Sequence, residues 1–347
     1  MGRTFHSSYA EEMALFQSDW ARAWMAIFLA LLLGVPALLG PYLLSVLNLA
    51  GVAVIGAIGL NLLIGTTGQI SLGHVAFIAC GGYTTAILAE RFGLPFWLLI
   101  PASGCVAALI GLVVGVPSLR LEGFYLAMAT LAAAFIIEYV YAHWESLTAG
   151  TTGMKVARPT LAGAPLESSL AFFYFQLPWV IGATLFAKNL TRTKVGRAWV
   201  AIRDRDISAE TLGIDLTHYK LVAFIVSAFY GGVAGSLYVY YLKTVSPEHF
   251  TFALMIEYIA MLIVGGVGSI LGSIFGAVFI TLLPEALRLV TDLLRDDYPV
   301  LSFRFLYVKQ GIYGLIIILF LLFKPDGCFG WWQDVKRYWQ TWPYKHS

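Results

Sequence analysis

The sequence contains little charge. Acidic and basic residues together make up 12% of the 347 residues, about half the share found in soluble domains, whereas hydrophobic residues make up 59%. A soluble domain of this size has too little interior to bury so many apolar side chains. The composition therefore excludes a soluble enzyme, a disordered chain and a repeat array, and it predicts a polytopic membrane protein.

Cysteine is also scarce, and the motifs of common catalytic sites are missing. The three cysteines, Cys80, Cys105 and Cys328, fit neither a disulfide framework nor a metal site. The sequence contains no HExxH, CxxC, GxSxG or GxxxxGK[ST] motif. We therefore expect no catalytic residue, no metal, no cofactor and no ATPase motif of its own. The net charge of only +2 gives no reason to expect nucleic acid as a partner.

Long apolar runs divide the chain into membrane segments. Because a helix needs about 20 apolar residues to cross the hydrocarbon, we predict an all-α integral membrane protein with about ten transmembrane segments and broken helices; eight or nine spans also fit the pattern. Ala253–Val264 is too short to cross alone, so with its neighbour it is a candidate for one long, interrupted element. The ten runs are Trp24–Leu39, Tyr42–Ile64, Ser71–Ala89, Pro95–Val116, Leu119–Ala142, Leu170–Ala187, Leu221–Leu242, Ala253–Val264, Ser269–Leu283 and Val308–Phe323.

Basic residues predict the orientation. Seven of them lie in residues 188–220, which we expect to form a cytoplasmic loop, and both chain ends are expected inside. Residues 1–23 are polar and read as a cytoplasmic segment before an uncleaved first span. Residues 24–323 form the predicted membrane domain, and residues 324–347 form a cytoplasmic tail that contains four tryptophans.

Two apolar segments are interrupted by glycine. The first reads LNLLIGTTGQISLGHVAF from residue 60, and the second reads MLIVGGVGSILGSIFGAVF from residue 261. A shift of 200 positions superimposes Gly65 on Gly265 and Gly68 on Gly268. Paired breaks of this kind indicate a translocation pathway, because backbone freed at membrane depth must be buried in protein or line a wet cavity. The alternative is that these glycines only allow close helix packing.

The first of these segments also carries polar side chains. Gln69, Ser71 and His74 lie within six positions of one another among apolar neighbours, and polar residues in a membrane protein usually face the bundle interior. On one helix, Ser71 and His74 would share a face. We assign all three to the candidate pathway, although a purely structural histidine remains an equal alternative.

The loop at residues 188–220 contains a short amphipathic region. Trp199, Ile202 and Leu212 are predicted on its apolar side, the charged run Arg203–Asp206 is predicted to be exposed, and Gly213 can end a second helix. The pattern fits either a loop anchored at the membrane surface or a docking surface for a cytoplasmic partner.

Several longer motifs resemble one family. These are GQISLGHVAF at residues 68–77, VPSLRLEGFYLAMATLA at 116–132, VGRAWVAIRDRDISAETLGID at 195–215 and YKLVAFIVSAFYGGVAGSLY at 219–238. In this order they resemble the LivM-type permease of branched-chain amino acid ABC transporters, a family of hydrophobic amino acid uptake. The resemblance covers nearly the whole chain from Tyr9 to Phe323.

The resemblance implies a type II ABC importer-like permease in the bacterial inner membrane, surrounded by membrane lipid. Its implied partners are two cytoplasmic ATPase subunits, a homologous second permease and a periplasmic substrate-binding protein. The coupling loop of the family falls here on Arg203, Asp204, Arg205, Asp206, Glu210 and Gly213. Many importers carry an EAA sequence in that loop, of which this chain retains only Ala209-Glu210 and Gly213.

We therefore expect a permease subunit that imports branched-chain or other hydrophobic amino acids. Relatives of the same kind carry urea, short amides or aromatic acids, and no residue in the sequence distinguishes among these substrates. An ion-coupled secondary permease and a membrane scaffold or enzyme are the rival classes.

Overall fold

The computed structural model describes residues 30–157, 159–161, 164–165, 168–293 and 305–341. Almost all of these residues are helical, which confirms the all-α class. The predicted segment 1–23 and the start of the first predicted span lie outside the described residues. The helices are α1 (residues 30–38), α2 (Pro41–Asn61), α3 (His74–Phe92), α4 (Phe96–Ser118), α5 (Gly123–His143), α6 (Glu145–Thr148), α7 (Ser169–Arg192), α8 (Lys194–Asp204), α9 (Asp206–Thr211), α10 (Leu216–Leu242), α11 (Phe252–Gly265), α12 (Ile270–Leu293), α13 (Phe305–Phe323) and α14 (Gly327–Thr341).

Fewer helices than predicted have the length and apolarity of a membrane span. Within the described residues, seven helices are long and apolar enough to cross a membrane, or eight if the bent pair α13–α14 counts as one span. The count of about ten is therefore corrected. Helix α3 has 19 residues but falls short of the apolarity of these helices, because its apolar stretch is diluted by Gly81-Gly82-Tyr83 and by Glu90 and Arg91 near its end.

Helix α10 lies at the centre of the bundle and packs against α2, α3 and α4. Its contacts depend on small residues: a Cβ on Gly232 would overlap Ser103 and Gly104 of α4, and one on Gly235 would overlap the backbone of α3. Lipid tails are as apolar as leucine, so close packing of this kind is what holds membrane helices together.

Helices α11 and α12 form a hairpin. The chain reverses at residues 266–269, and Gly265 then lies against Gly272 and Gly276 of α12. The expectation of one long interrupted element is therefore wrong. Glycines along both helices allow the two backbones to lie side by side, and Gly266 and Gly268 adopt positive φ angles of 114° and 86° in the reversal.

The connections gather at two ends of the bundle. At one, the strand end, β1 (Met154–Lys155) pairs antiparallel with β4 (Thr244–Val245), and Val156 N donates to Lys243 O. A second pair joins β2 (Thr160–Leu161) to β3 (Ala164–Pro165). The opposite end, here called the α8–α9 end, holds residues 67–73, 119–122, 193–215 and 266–269. Along the chain the connections alternate between the two ends, as expected when each long helix runs from one end of the bundle to the other.

Candidate functional site

The two glycine-interrupted segments meet at the α8–α9 end. After α2, residues Leu62–Thr66 continue as a π-helical turn, and Gly65 in that turn lies against Gly268 in the α11–α12 reversal. A Cβ on Gly65 would overlap the backbone nitrogen of Gly268 and the side chain of Asn61. The two backbones can approach this closely only because both positions are glycine.

Asn61 fastens the two segments together. Its Oδ1 accepts a hydrogen bond of 2.8 Å from Gly268 N, and its Nδ2 donates to Ser269 O at 2.7 Å and to Ser273 Oγ at 2.6 Å. The side chain is buried, so these bonds satisfy both polar ends of an amide that has little access to water. The last residue of α2 is thereby joined to the reversal and to the first turn of α12.

The side chain of Arg203, in α8, extends to the contact between Gly65 and Gly268. Its Nη1 donates to Gly65 O at 2.5 Å, and a Cβ on Gly268 would lie 2.5 Å from the same nitrogen. A cation is favourable here because the end of a helix carries partial negative charge on unpaired carbonyl groups. Arg203 therefore contacts both glycine breaks, which links the loop predicted to be cytoplasmic to the ends of two membrane hairpins.

The apolar side of α8 fixes the position of this arginine. Trp199 and Ile202 are buried, as predicted, and Trp199 Nε1 donates to Tyr219 O in α10 at 2.9 Å. The helix thus lies against the first turns of α10, and the next residue after Ile202 points toward Gly65. Leu212 was predicted on the same apolar side, but it is 80% exposed.

A polar cleft of about 290 Å³ lies beside Arg203. On one wall Gln69 Nε2 donates to Lys220 O at 3.2 Å, and the Lys220 ammonium lies 3.5 Å from the Glu122 carboxylate. The cleft is lined by Gly68, Gln69, Glu122, the run Arg203–Asp206 and Lys220, among others. It brings together residues of the predicted pathway and residues of the predicted coupling loop.

Ser71 and His74 do not join this cleft. The expectation that they share a helical face is wrong, because α3 begins at His74 and Ser71 lies in the preceding turn. His74 is fully buried, with Nδ1 3.3 Å from Ser227 Oγ and its ring against Tyr258. Within the described part of the chain its Nε2 has no hydrogen-bond partner. These contacts place His74 in the packed interior between α3, α10 and α11.

The remaining loop residues form an outer surface. Asp204, Arg205 and Glu210 are exposed, and Asp206 begins α9. Gly213 ends that helix as predicted: its φ angle is 84°, and Ile214 N donates to Ala209 O. The side chain of Ile207 is 75% exposed, and like that of Leu212 it is therefore strongly exposed. The loop therefore presents two large apolar side chains among charged ones.

Two features were missed by reasoning from the sequence. Asn61 was visible as an isolated polar residue near the end of an apolar run, but no local pattern indicated that its partners lie more than 200 positions away. The exposure of Ile207 and Leu212 was hidden because an amphipathic pattern does not show where one short helix ends and another begins.

Among the described residues, no cluster of three or more His, Cys, Asp or Glu side chains could hold a metal ion.

One known protein family matches most of this chain. Residues 42–321 match the family described as branched-chain amino acid transport system / permease component. The chain belongs to this family. The match begins at the second residue of α2 and stops two residues before the end of α13, so it does not include α14.

Individual relatives support the same assignment. The permease protein LivM of the high-affinity branched-chain amino acid transport system from Salmonella typhimurium is 32% identical, over 87% of this chain and 74% of its own length. The protein of the same name from Escherichia coli is 31% identical over the same shares. A probable branched-chain amino acid transport permease, LivH, from Methanocaldococcus jannaschii is 28% identical over 81% of this chain and 90% of its own length. No solved structure matches the chain.

Proposed function

We propose that this inner-membrane permease imports branched-chain or other hydrophobic amino acids as the transmembrane subunit of an ATP-driven importer. Its membership of the permease family and its similarity to two LivM proteins over 87% of the chain support this substrate class. The chain is a transport subunit, and its sequence lacks the glycine-rich loop that would hold ATP phosphates. We therefore place the ATPase of the proposed importer on another subunit.

The proposed assembly contains two ATPase subunits, a homologous second permease and a periplasmic substrate-binding protein. The surface of α9 supports an ATPase contact, because Ile207 and Leu212 are exposed beside Asp204, Arg205 and Glu210. An apolar centre with charged residues around it is the usual composition of a specific protein interface. Charges at such a rim mainly set register and association rate.

Coupling is proposed to pass through Arg203. The hydrogen bond from its Nη1 to Gly65 O carries this proposal, because it is a direct bond between the loop and a membrane segment. A displacement of α9 and α8 by the ATPase would move Arg203 and thereby shift Gly65 against Gly268. Asn61 would transmit that shift to α12 through its bonds to Ser269 and Ser273. Gly65, Gly68, Gly265 and Gly268 then act at the coupling end of the pathway.

Two variants separate docking from coupling in the assembled transporter. Leu212→Asp should reduce co-purification of the ATPase, because it places a carboxylate in the apolar centre of the proposed interface. Arg203→Gln should leave the ATPase bound but reduce substrate-stimulated ATP hydrolysis and uptake at least tenfold. Arg197→Ala is the matched control, since Arg197 lies on the same helix and bonds Arg192 O instead.

Normal stimulation of ATP hydrolysis in Arg203→Gln would disprove the coupling role, even if uptake fell for another reason. Normal ATPase association in Leu212→Asp would disprove docking on α9. If Arg197→Ala reduced ATP hydrolysis and uptake as much as Arg203→Gln, the loss would reflect removal of a positive charge from α8 and not loss of the bond to Gly65.

The substrate class is tested by uptake into proteoliposomes that contain the complex purified from its native membranes. With ATP inside, radiolabelled leucine should enter, and excess unlabelled valine or isoleucine should compete. Competition by urea, a short amide or an aromatic acid in place of these would reassign the substrate. Leucine uptake by the chain alone, driven by an ion gradient without an ATPase, would instead establish a secondary permease.

A further inference from the structure

Helix α14 follows the part of the chain that matches the permease family, and its aromatic side chains are unexplained by the transport mechanism. The matched region ends at residue 321, whereas α14 covers Gly327–Thr341. It contains Trp331, Trp332 and Trp339; the fourth tryptophan of the tail, Trp342, lies outside the described residues. The position and side chains of α14 do not depend on which substrate the permease carries.

The helix has one apolar and one polar side. At 100° per residue, Trp331, Trp332, Val335 and Tyr338 fall on one side, and Gln333, Asp334, Lys336 and Arg337 fall on the other. The four apolar side chains are between 50% and 61% exposed. A helix of this kind in water would expose a large aromatic surface to solvent, so an apolar neighbour on this side is favourable.

The preceding helix determines where α14 emerges. Helix α13 has 19 residues and is therefore about 28 Å long, close to the thickness of a bilayer core, so it can span without α14. Only residues 324–326 separate the two helices, and their axes differ by 41°. Helix α14 consequently begins at the membrane surface and turns away from the direction of the span.

Close contacts fix the turn between α13 and α14. Gly327 has a φ angle of 62°, and a Cβ on it would lie 2.5 Å from Gly266 N in the α11–α12 reversal. Lys324 Nζ, just after α13, lies 2.7 Å from Asp334 Oδ2 on the polar side of α14. These contacts at the base of the helix fix its direction relative to the bundle.

The apolar side points toward the lipid-facing flank of the bundle. The Trp331 ring lies against Phe320 of α13, and the Trp332 ring lies against Phe275 of α12. Phe275 itself and the last residues of α13, Leu322 and Phe323, are exposed apolar side chains of membrane helices. The tryptophans therefore occupy the boundary between the membrane segments and the aqueous phase, where tryptophan and tyrosine are enriched.

We propose that α14 is an interfacial helix that binds the lipid surface. Its aromatic side lies in the headgroup region, and its basic residues, Lys336 and Arg337, attract the anionic phosphates of lipid headgroups. Because Gly327 packs on Gly266, the bound helix also holds the α11–α12 reversal at a fixed depth, next to Gly268 and Arg203.

The test uses nitroxide labels on the full chain in vesicles of phosphatidylcholine and phosphatidylglycerol at 3:1. The three native cysteines are replaced by alanine, and a single cysteine is introduced by Val335→Cys or, as the matched control, Gln333→Cys. Collisions with oxygen report lipid, and collisions with a water-soluble nickel chelate report water. We expect the label at 335 to be oxygen-accessible and several-fold less nickel-accessible than the label at 333.

A charge variant tests the headgroup contact. Lys336→Glu with Arg337→Glu should raise nickel accessibility at position 335 in the anionic vesicles and change it much less in vesicles of phosphatidylcholine alone. Equal nickel accessibility at positions 333 and 335 would show that the helix projects into water and would overturn the proposal. Protection of position 335 that occurs only after the ATPase subunit is added would overturn it as well, because the apolar side would then be a protein interface.

Discussion

Helices α10 and α5 are equally apolar, yet α10 is mostly buried within the chain and α5 is mostly exposed on its surface. Their most apolar 18-residue windows have the same mean hydropathy, but 72% of that window is buried inside the chain in α10 and only 17% in α5. Hydropathy selects the helices that enter the membrane. It does not determine which of them the protein buries.

Side-chain size explains the difference. Between Ser227 and Ser236, α10 carries three glycines and two alanines, and these small residues contact α3 and α4 at close distance. The α5 surface carries large exposed side chains such as Phe135, Ile136 and Tyr139. Lipid solvates such groups as well as protein does, so in a membrane shape rather than apolarity decides burial.

The largest loss of folded protein is expected when a glycine of α10 is replaced by a larger residue. In Gly235→Leu the new Cβ would lie 3.0 Å from Gly82 N and closer still to the Ile78 carbonyl, both of which are backbone groups that cannot move aside. We expect loss of the folded, monodisperse protein in size-exclusion chromatography. The matched control is Gly182→Leu in α7, where no atom lies within 4 Å of the added Cβ and folding should persist. Equal behaviour of the two variants would disprove the small-residue explanation.

A smaller difference is expected from shortening the same residue type in a buried and an exposed position. Ile58 in α2 is fully buried, whereas Ile136 in α5 is 64% exposed. Ile58→Ala should lower stability by about 2 kcal/mol or more through the cavity it leaves, and Ile136→Ala by less than about 0.5 kcal/mol, because lipid fills the space. Thermal unfolding of the purified chain in one detergent gives both values. A large loss in Ile136→Ala would mean that α5 packs within the chain more tightly than its exposure indicates.

The smallest effect concerns a hydrogen bond to α10. Thr85 Oγ1 in α3 donates to Ser236 Oγ at 2.7 Å, with both residues buried. Thr85→Val should cost about 0.6 kcal/mol, the average for such bonds in membrane proteins. Thr84→Val, one position along on a less buried part of α3, is the control for helix propensity and should cost less. A cost above about 2 kcal/mol for Thr85→Val would indicate that polar bonds, and not glycine contacts, hold α10 in place.

Parts of the candidate site were predictable because they follow from local rules. The amphipathic pattern places Trp199 and Ile202 inside, and Gly213 ends α9 because glycine adopts the positive φ angle that stops a helix. The pattern failed at Leu212, since α9 is a separate helix whose direction is set by contacts beyond the loop. It failed at Ser71 for a similar reason, because the chain turns between Thr67 and Gly73 before α3 begins.

By itself, the sequence determined the class of the protein, the approximate positions of its helices and the two glycine breaks. Scarce charge and long apolar runs leave a chain no stable state outside a membrane, and this constraint acts on every segment separately. Only the tertiary structure decided that Gly65 meets Gly268, that Asn61 joins them and that Arg203 reaches both. Arg203 lies 138 positions from Gly65, and Asn61 lies 207 positions from Gly268. Such contacts depend on how whole helices pack, which the spacing of apolar residues along one helix does not specify.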